Sequence, residues 1–150
     1  MKYDDSTKEI LNKLLEKGAD INFKSEFDIT PLMMSCYFND EELVSYLVEQ
    51  NADLNKTNMD NDSPLTIATY FNNKNIIKIL VDNKAKNLKN IYNESAITIA
   101  NTMKNKEIKK ILERSYIGIL FYKYFLCNIF LLLFFIIIML IVYLISNMII

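Results

Sequence analysis

The sequence predicts an all-α protein: a helical solenoid of stacked repeats followed by a single C-terminal transmembrane helix. Three observations carry this expectation. Landmark residues recur at an offset of 33 positions, a Thr-Pro-Leu or Ser-Pro-Leu triplet stands at a helix start in each of two repeats, and the last charged side chain, Lys123, is followed by 27 positions that carry none. The chain has 150 residues, 51% hydrophobic and 23% charged, close to a globular average. That average joins two unlike parts, because all 18 acidic and 16 of the 17 basic residues lie within 1–115.

The repeats come first in chain order. Leu14-Leu15-Glu16-Lys17-Gly18-Ala19-Asp20, Leu47-Val48-Glu49-Gln50-Asn51-Ala52-Asp53 and Leu80-Val81-Asp82-Asn83-Lys84-Ala85-Lys86 lie 33 residues apart. Thr30-Pro31-Leu32 and Ser63-Pro64-Leu65 keep the same offset, and Ser95-Ala96-Ile97 follows 32 later. The rows Ile10, Leu43, Ile76, Ile108 and Leu14, Leu47, Leu80, Leu112 share this register. Thr30 and Ser63 suit helix N-caps, and Pro31 and Pro64 suit the first helical position. They predict first helices near 31–38 and 64–71, with Leu32, Ser35, Cys36 and Leu65, Ala68, Thr69 on one closely stacked face. Second helices follow near 41–50 and 74–82. Their apolar stripes are Leu43, Val44, Leu47, Val48 and Ile76, Ile77, Leu80, Val81, at helical period. No single helix pair can bury such a stripe alone, so the units must stack.

This pattern resembles the ankyrin repeat, a β-turn followed by two antiparallel helices, over roughly residues 7 to 115. The resemblance implies an array over 1–115, with a partial repeat at 1–21 and repeats near 22–54, 55–87 and 88–115. Departures are visible. The family's His after Pro-Leu is Met33, Thr66 and Thr98, and its turn Gly is Asp28, Asn61 and Asn93. Asn and Asp tolerate positive φ better than other side chains, so the turn survives. The helix-end Gly18 becomes Asn51 and then Lys84, a worsening cap. The first unit is only a second helix and the fourth is degenerate. So short an array predicts marginal stability, and a melting point above about 80 °C for residues 1–115 would contradict it. Ankyrin arrays are binding scaffolds, so the resemblance further implies a protein partner held at turn tips and in a groove lined by the first helices. Carried onto this chain, the groove positions are Tyr37, Phe38, Tyr70, Phe71, Thr102 and Met103, with the two Tyr-Phe pairs side by side.

The tail is read from hydropathy. Residues 124–146 hold 23 positions with Asn128 and Ser146 as the only strongly polar side chains. A bilayer core about 30 Å thick needs about 20 apolar residues in a helix, and a lone segment can satisfy its backbone in lipid only as a helix. A basic and aromatic junction, 116–123, precedes the span, and a short end, 147–150, follows it. Ser115 to Gly118 is the only candidate hinge. Between 104 and 123, six basic residues (Lys104, Lys106, Lys109, Lys110, Arg114, Lys123) stand against Glu107 and Glu113. The positive-inside rule then places the N-terminal part in the cytoplasm, with this basic flank facing anionic lipid. The expected protein is single-pass and tail-anchored. Along the array, residues 1–62 carry net −8 and residues 63–115 net +6. Three Asn-X-Ser/Thr patterns begin at Asn55, Asn61 and Asn93, and glycans on them would overturn the orientation.

Composition narrows the chemistry. The chain has no His and no Trp, and only two Gly, Gly18 and Gly118. That leaves no His-based triad, no His metal site and no glycine-rich phosphate loop. Cys36 lies in the polar part and Cys127 in the apolar tail, so no disulfide framework is expected. No catalytic role, metal or cofactor is expected, nor a nucleic-acid or small-molecule ligand. The function expected is a membrane-anchored adaptor that binds a protein partner on the cytoplasmic face. The alternative is a regulatory subunit of a membrane complex assembled through the span, packing Asn128, Phe130, Phe134 and Phe135 against other spans.

Overall fold

A computed structural model describes the backbone of residues 5–148, with side chains in that range except at 5–7, 117–124, 127–128 and 139–148. The chain divides into two compact units, Met1–Glu113 and Arg114–Ile150. Among the described residues seven helices are formed: α1 (Asp5–Glu16), α2 (Pro31–Tyr37), α3 (Glu41–Glu49), α4 (Pro64–Tyr70), α5 (Lys74–Asp82), α6 (Ala96–Thr102) and α7 (Lys106–Met148).

The first unit is an array of helix pairs, α2 with α3 and α4 with α5, each pair packed on the next. The first helices start where the sequence places their caps. The Thr30 hydroxyl accepts from Met33 N–H at 3.3 Å and the Ser63 hydroxyl from Thr66 N–H at 3.2 Å, with Pro31 and Pro64 leading each helix. Ser95 and Thr98 form a reciprocal capping box on α6. Both first helices are one residue shorter than expected, because Phe38 and Phe71 serve as C-caps. The small face is fully buried: Leu32, Ser35, Cys36, Leu65, Ala68 and Thr69 are each 1% exposed or less. Ser35 and Thr69 hydroxyls donate back to Leu32 and Leu65 carbonyls, so their burial leaves no unpaired donor. Burial also pushes the Cys36 thiol far above its ordinary value, which keeps it protonated and unreactive.

Left-handed residues close the loops in three families that follow the repeat. Turn tips use Asp28, Asn61 and Asn93; first-helix ends use Asn39, Asn72 and Lys104; second-helix ends use Gly18, Asn51 and Lys84. At the second-helix ends Ala19, Ala52 and Ala85 N–H groups reach back to Leu14, Leu47 and Leu80 carbonyls at 2.9–3.0 Å, the Schellman arrangement. Asn side chains also join neighbouring repeats. Asn22 Oδ1 accepts from Asp53 N–H and Asn55 Oδ1 from Lys86 N–H, both at 2.7 Å. Asn73 Nδ2 donates to the Cys36 carbonyl at 3.0 Å.

The stack is open at α1. Leu47, Leu80 and Leu112 are at most 2% exposed, whereas their repeat equivalent Leu14 is 48% exposed and Ile10 is 59% exposed. Among the described residues no first-type helix precedes α1 to cover them. A hydrogen bond between the Tyr46 hydroxyl and Asn12 ties α1 to α3.

α7 is a helix of 43 residues. From Tyr124 onward its described side chains are 125, 126 and 129–138, all apolar and exposed. Among the described residues no helix is long and apolar enough to cross a membrane. The expected span, 124–146, therefore falls in good part outside the described side chains, as do Lys123, Cys127 and Asn128; residues 149–150 of the expected short end lie outside the described residues.

Candidate protein-binding surface

The first helices α2 and α4 end in Tyr37-Phe38 and Tyr70-Phe71, and α6 ends in Thr102-Met103, at the edge of the small buried face. Phe38 is 70% exposed, Phe71 53%, Tyr70 39% and Met103 46%, with Thr102 also exposed and Tyr37 half-buried. The two Tyr-Phe pairs do not simply stand side by side. Tyr37 crosses to the next unit and meets Phe71 edge-on, with ring centroids 5.6 Å apart and planes at 76°. Tyr70 likewise reaches into the following repeat, where its hydroxyl is hydrogen-bonded to Glu94 and to Asn90. The structure thus attaches each tyrosine to the turn that follows it, Tyr37 to Asn58 and Tyr70 to Asn90, and joins Tyr37 to Phe71 as well.

The turns are built alike. Ser25, Asn58 and Asn90 each open a five-residue loop whose first N–H donates to the last carbonyl at 2.8–3.1 Å. Asn58 and Asn90 Oδ1 atoms each accept two backbone N–H groups, from Asp60 and Asp62 and from Tyr92 and Glu94. This explains why both Asn are buried. Ile91 N–H donates to the Asp60 carbonyl at 3.0 Å, so adjacent tips touch through their backbones. Because the loop atoms are satisfied internally, the tip side chains project outward. Phe27, Met59, Ile91 and Tyr92 are between 54% and 68% exposed. The sequence reading did not single these four out. Their signal is an apolar residue inside a tight turn, where a polar one is expected.

Asp60, Asp62 and Glu94 lie close enough to Tyr37 and Tyr70 for their charges to act on them. Asp62 accepts from Asn90 Nδ2 at 3.0 Å. Burial pushes the Asp62 carboxyl above its ordinary value, the Asn90 hydrogen bond opposes this, and the charges of Asp60 and Glu94 add to it. Tyr37 is raised by burial and by Asp62 and Asp60. Tyr70 is pushed up to about 12, first by burial and then by its hydrogen bond to Glu94.

The basic flank is more dispersed. Lys104 is the left-handed residue after α6, Lys106, Lys110 and Arg114 are exposed, and Lys109 lies 3.6 Å from Glu113. Lys74 pairs with Glu107 across one repeat. Elsewhere, Glu41, Glu42 and Glu49 line a shallow depression of about 390 Å³ beside α3. Among the described residues no group of His, Cys, Asp and Glu could hold a metal ion.

Comparison with known proteins agrees with this geometry. The family description "ankyrin repeats (3 copies)" matches residues 2–93. No curated protein matches the chain.

Proposed function

Since the chain belongs to the ankyrin repeat family, we propose that it is a membrane-anchored adaptor. Its array binds a protein partner through Tyr37, Phe38, Tyr70, Phe71 and Met103, together with the turn-tip residues Phe27, Met59, Ile91 and Tyr92. Ankyrin repeats are protein-interaction modules, and the observation that carries the reading is this apolar row. Rings as large as Phe38 and Phe71 stay open to solvent across successive repeats while the small residues beside them are buried. A contiguous patch of aromatics is unusual on a surface that binds nothing. Anchoring rests on the uncharged run 124–146, which at 1.5 Å per helical residue is about 34 Å long. The helical backbone of α7 through Met148 supports it. Lys104, Lys106, Lys109, Lys110, Arg114 and Lys123 support a cytoplasmic array beside an anionic leaflet.

Two experiments test the reading. Alkaline carbonate is expected to leave the protein in the membrane pellet, with Asn55, Asn61 and Asn93 unglycosylated; extraction or glycans would refute the anchor or its orientation. Replacing Phe38 and Phe71 by Ser is expected to abolish recovery of whatever co-purifies with the intact protein, and unchanged recovery would remove the patch.

A further inference from the structure

The apolar face between the second and third turns is bordered by carboxylates. Phe38, the Tyr37–Phe71 ring pair and Tyr70 present aromatic surface. Around them stand Asp60, Asp62 and Glu94, brought together by the fold from two consecutive turns. Hydrogen bonds place them: Asn90 spans Asp62 and the Tyr70 hydroxyl, Tyr70 holds Glu94, and the Asp60 backbone is bonded to Asn58 and Ile91. None of the three carboxylates takes part in an ion pair among the described residues; the pairs present are Lys13–Glu9, Lys24–Asp28, Lys74–Glu107 and Lys109–Glu113. Like charges gathered without a counter-ion repel one another, and they repel most where burial thins the solvent, as at Asp62.

We infer that the segment docking on this face is basic, an arginine-bearing stretch whose guanidinium lies over the exposed aromatic rings and among Asp60, Asp62 and Glu94 while flanking apolar side chains cover Phe38. The inference rests on the reading of this face as the partner surface and adds the partner's chemistry. Arginine fits better than lysine because its planar group stacks on an aromatic ring and donates in parallel to carboxylate oxygens. An acidic segment would add a charge of the same sign to three already present. A purely apolar one would desolvate the carboxylates without replacing their lost water.

The test uses the intact chain in a nonionic detergent and three fluorescent peptides alternating Leu with Arg, Gln or Glu. Fluorescence anisotropy is expected to show the Arg peptide binding about tenfold tighter than the Gln peptide, with the Glu peptide weakest. Asp60→Asn should weaken the Arg peptide about two- to fivefold and flatten its salt dependence. Glu42→Gln with Glu49→Gln, which removes more charge beside α3, should leave it unchanged. Equal affinity for the Arg and Gln peptides would overturn the inference, as would an equal response to the Asp60 and the α3 changes. If Phe38→Ala weakens every peptide while Asp60→Asn moves none, the face still binds protein and only its preference for a basic occupant falls. If Phe38→Ala moves none, both readings fall.

Discussion

Tyr37 and Phe71, 34 positions apart in the chain, meet edge-on with ring centroids 5.6 Å apart. This contact crosses from one repeat to the next. It couples the candidate binding face to the stacking that holds the array together, so a partner that displaces Phe71 also loosens the interface between repeats.

A double-mutant cycle on Tyr37→Ala and Phe71→Ala should show a coupling of about 0.5–1.5 kcal/mol in denaturant unfolding of the intact chain, the range for an edge-on aromatic pair. Purely additive effects would mean the rings touch without stabilising each other.

Repeat-equivalent leucines should differ sharply. Leu47→Ala and Leu80→Ala empty positions that are at most 2% exposed and should each cost about 2–5 kcal/mol. Leu14→Ala removes a side chain already 48% exposed and should cost less than about 1.5 kcal/mol, because little apolar surface returns to water. Thermal melts of the three variants compare them directly, and equal losses would mean that α1 is covered as fully as α3 and α5.

Lys84 and Lys104 hold φ of +67° and +56°, a conformation that costs a side chain with Cβ about 1–2 kcal/mol. Lys84→Gly is expected to raise stability by about 1 kcal/mol despite glycine's larger unfolded-state entropy. Gly18→Ala is expected to lower it, since Gly18 sits at φ +86° although a Cβ there would meet nothing within 4 Å. Chemical denaturation of both variants checks the opposite signs.

Two carboxylates should respond to pH in opposite senses. The hydrogen bond from Lys74, reinforced by its charge, holds Glu107 below its ordinary value of 4.5. Its contribution is thus present above that value and is lost as pH falls through the folded-state value. Asp62 is raised above 3.8, mainly by burial. Its contribution is present below that value and is lost as pH rises through the folded-state value. NMR titration of the two side-chain carboxyls should show Lys74→Gln moving the Glu107 midpoint up and Asp60→Asn moving the Asp62 midpoint down.

Much of the array was legible from local chemistry. Thr30 and Ser63 mark helix starts, because a hydroxyl three residues before an open N–H caps it wherever that segment folds. Asp28, Asn61 and Asn93 mark turns for an equally local reason, their tolerance of positive φ, and each adopts it. Less legible were Asn39 and Asn72, which use the same tolerance at helix ends, and Asn22 and Asn55, whose side chains serve the backbone of the next repeat. In a chain so rich in Asn, composition does not separate these roles. For the candidate surface, the Tyr and Phe positions followed from the period, but Phe27, Met59, Ile91 and Tyr92 did not, since apolar residues in turns have no periodicity of their own.

The sequence by itself determined the repeat, its register, the helix starts and the uncharged run at the end, because each depends on residues a few positions apart or on a spacing that can be counted. Only the tertiary structure decided that Leu14 is open where Leu47 is covered, that Tyr37 reaches Phe71, and that Asp60, Asp62 and Glu94 gather beside Tyr70. These depend on which surface the neighbouring repeat presents. That surface exists only once the units have stacked.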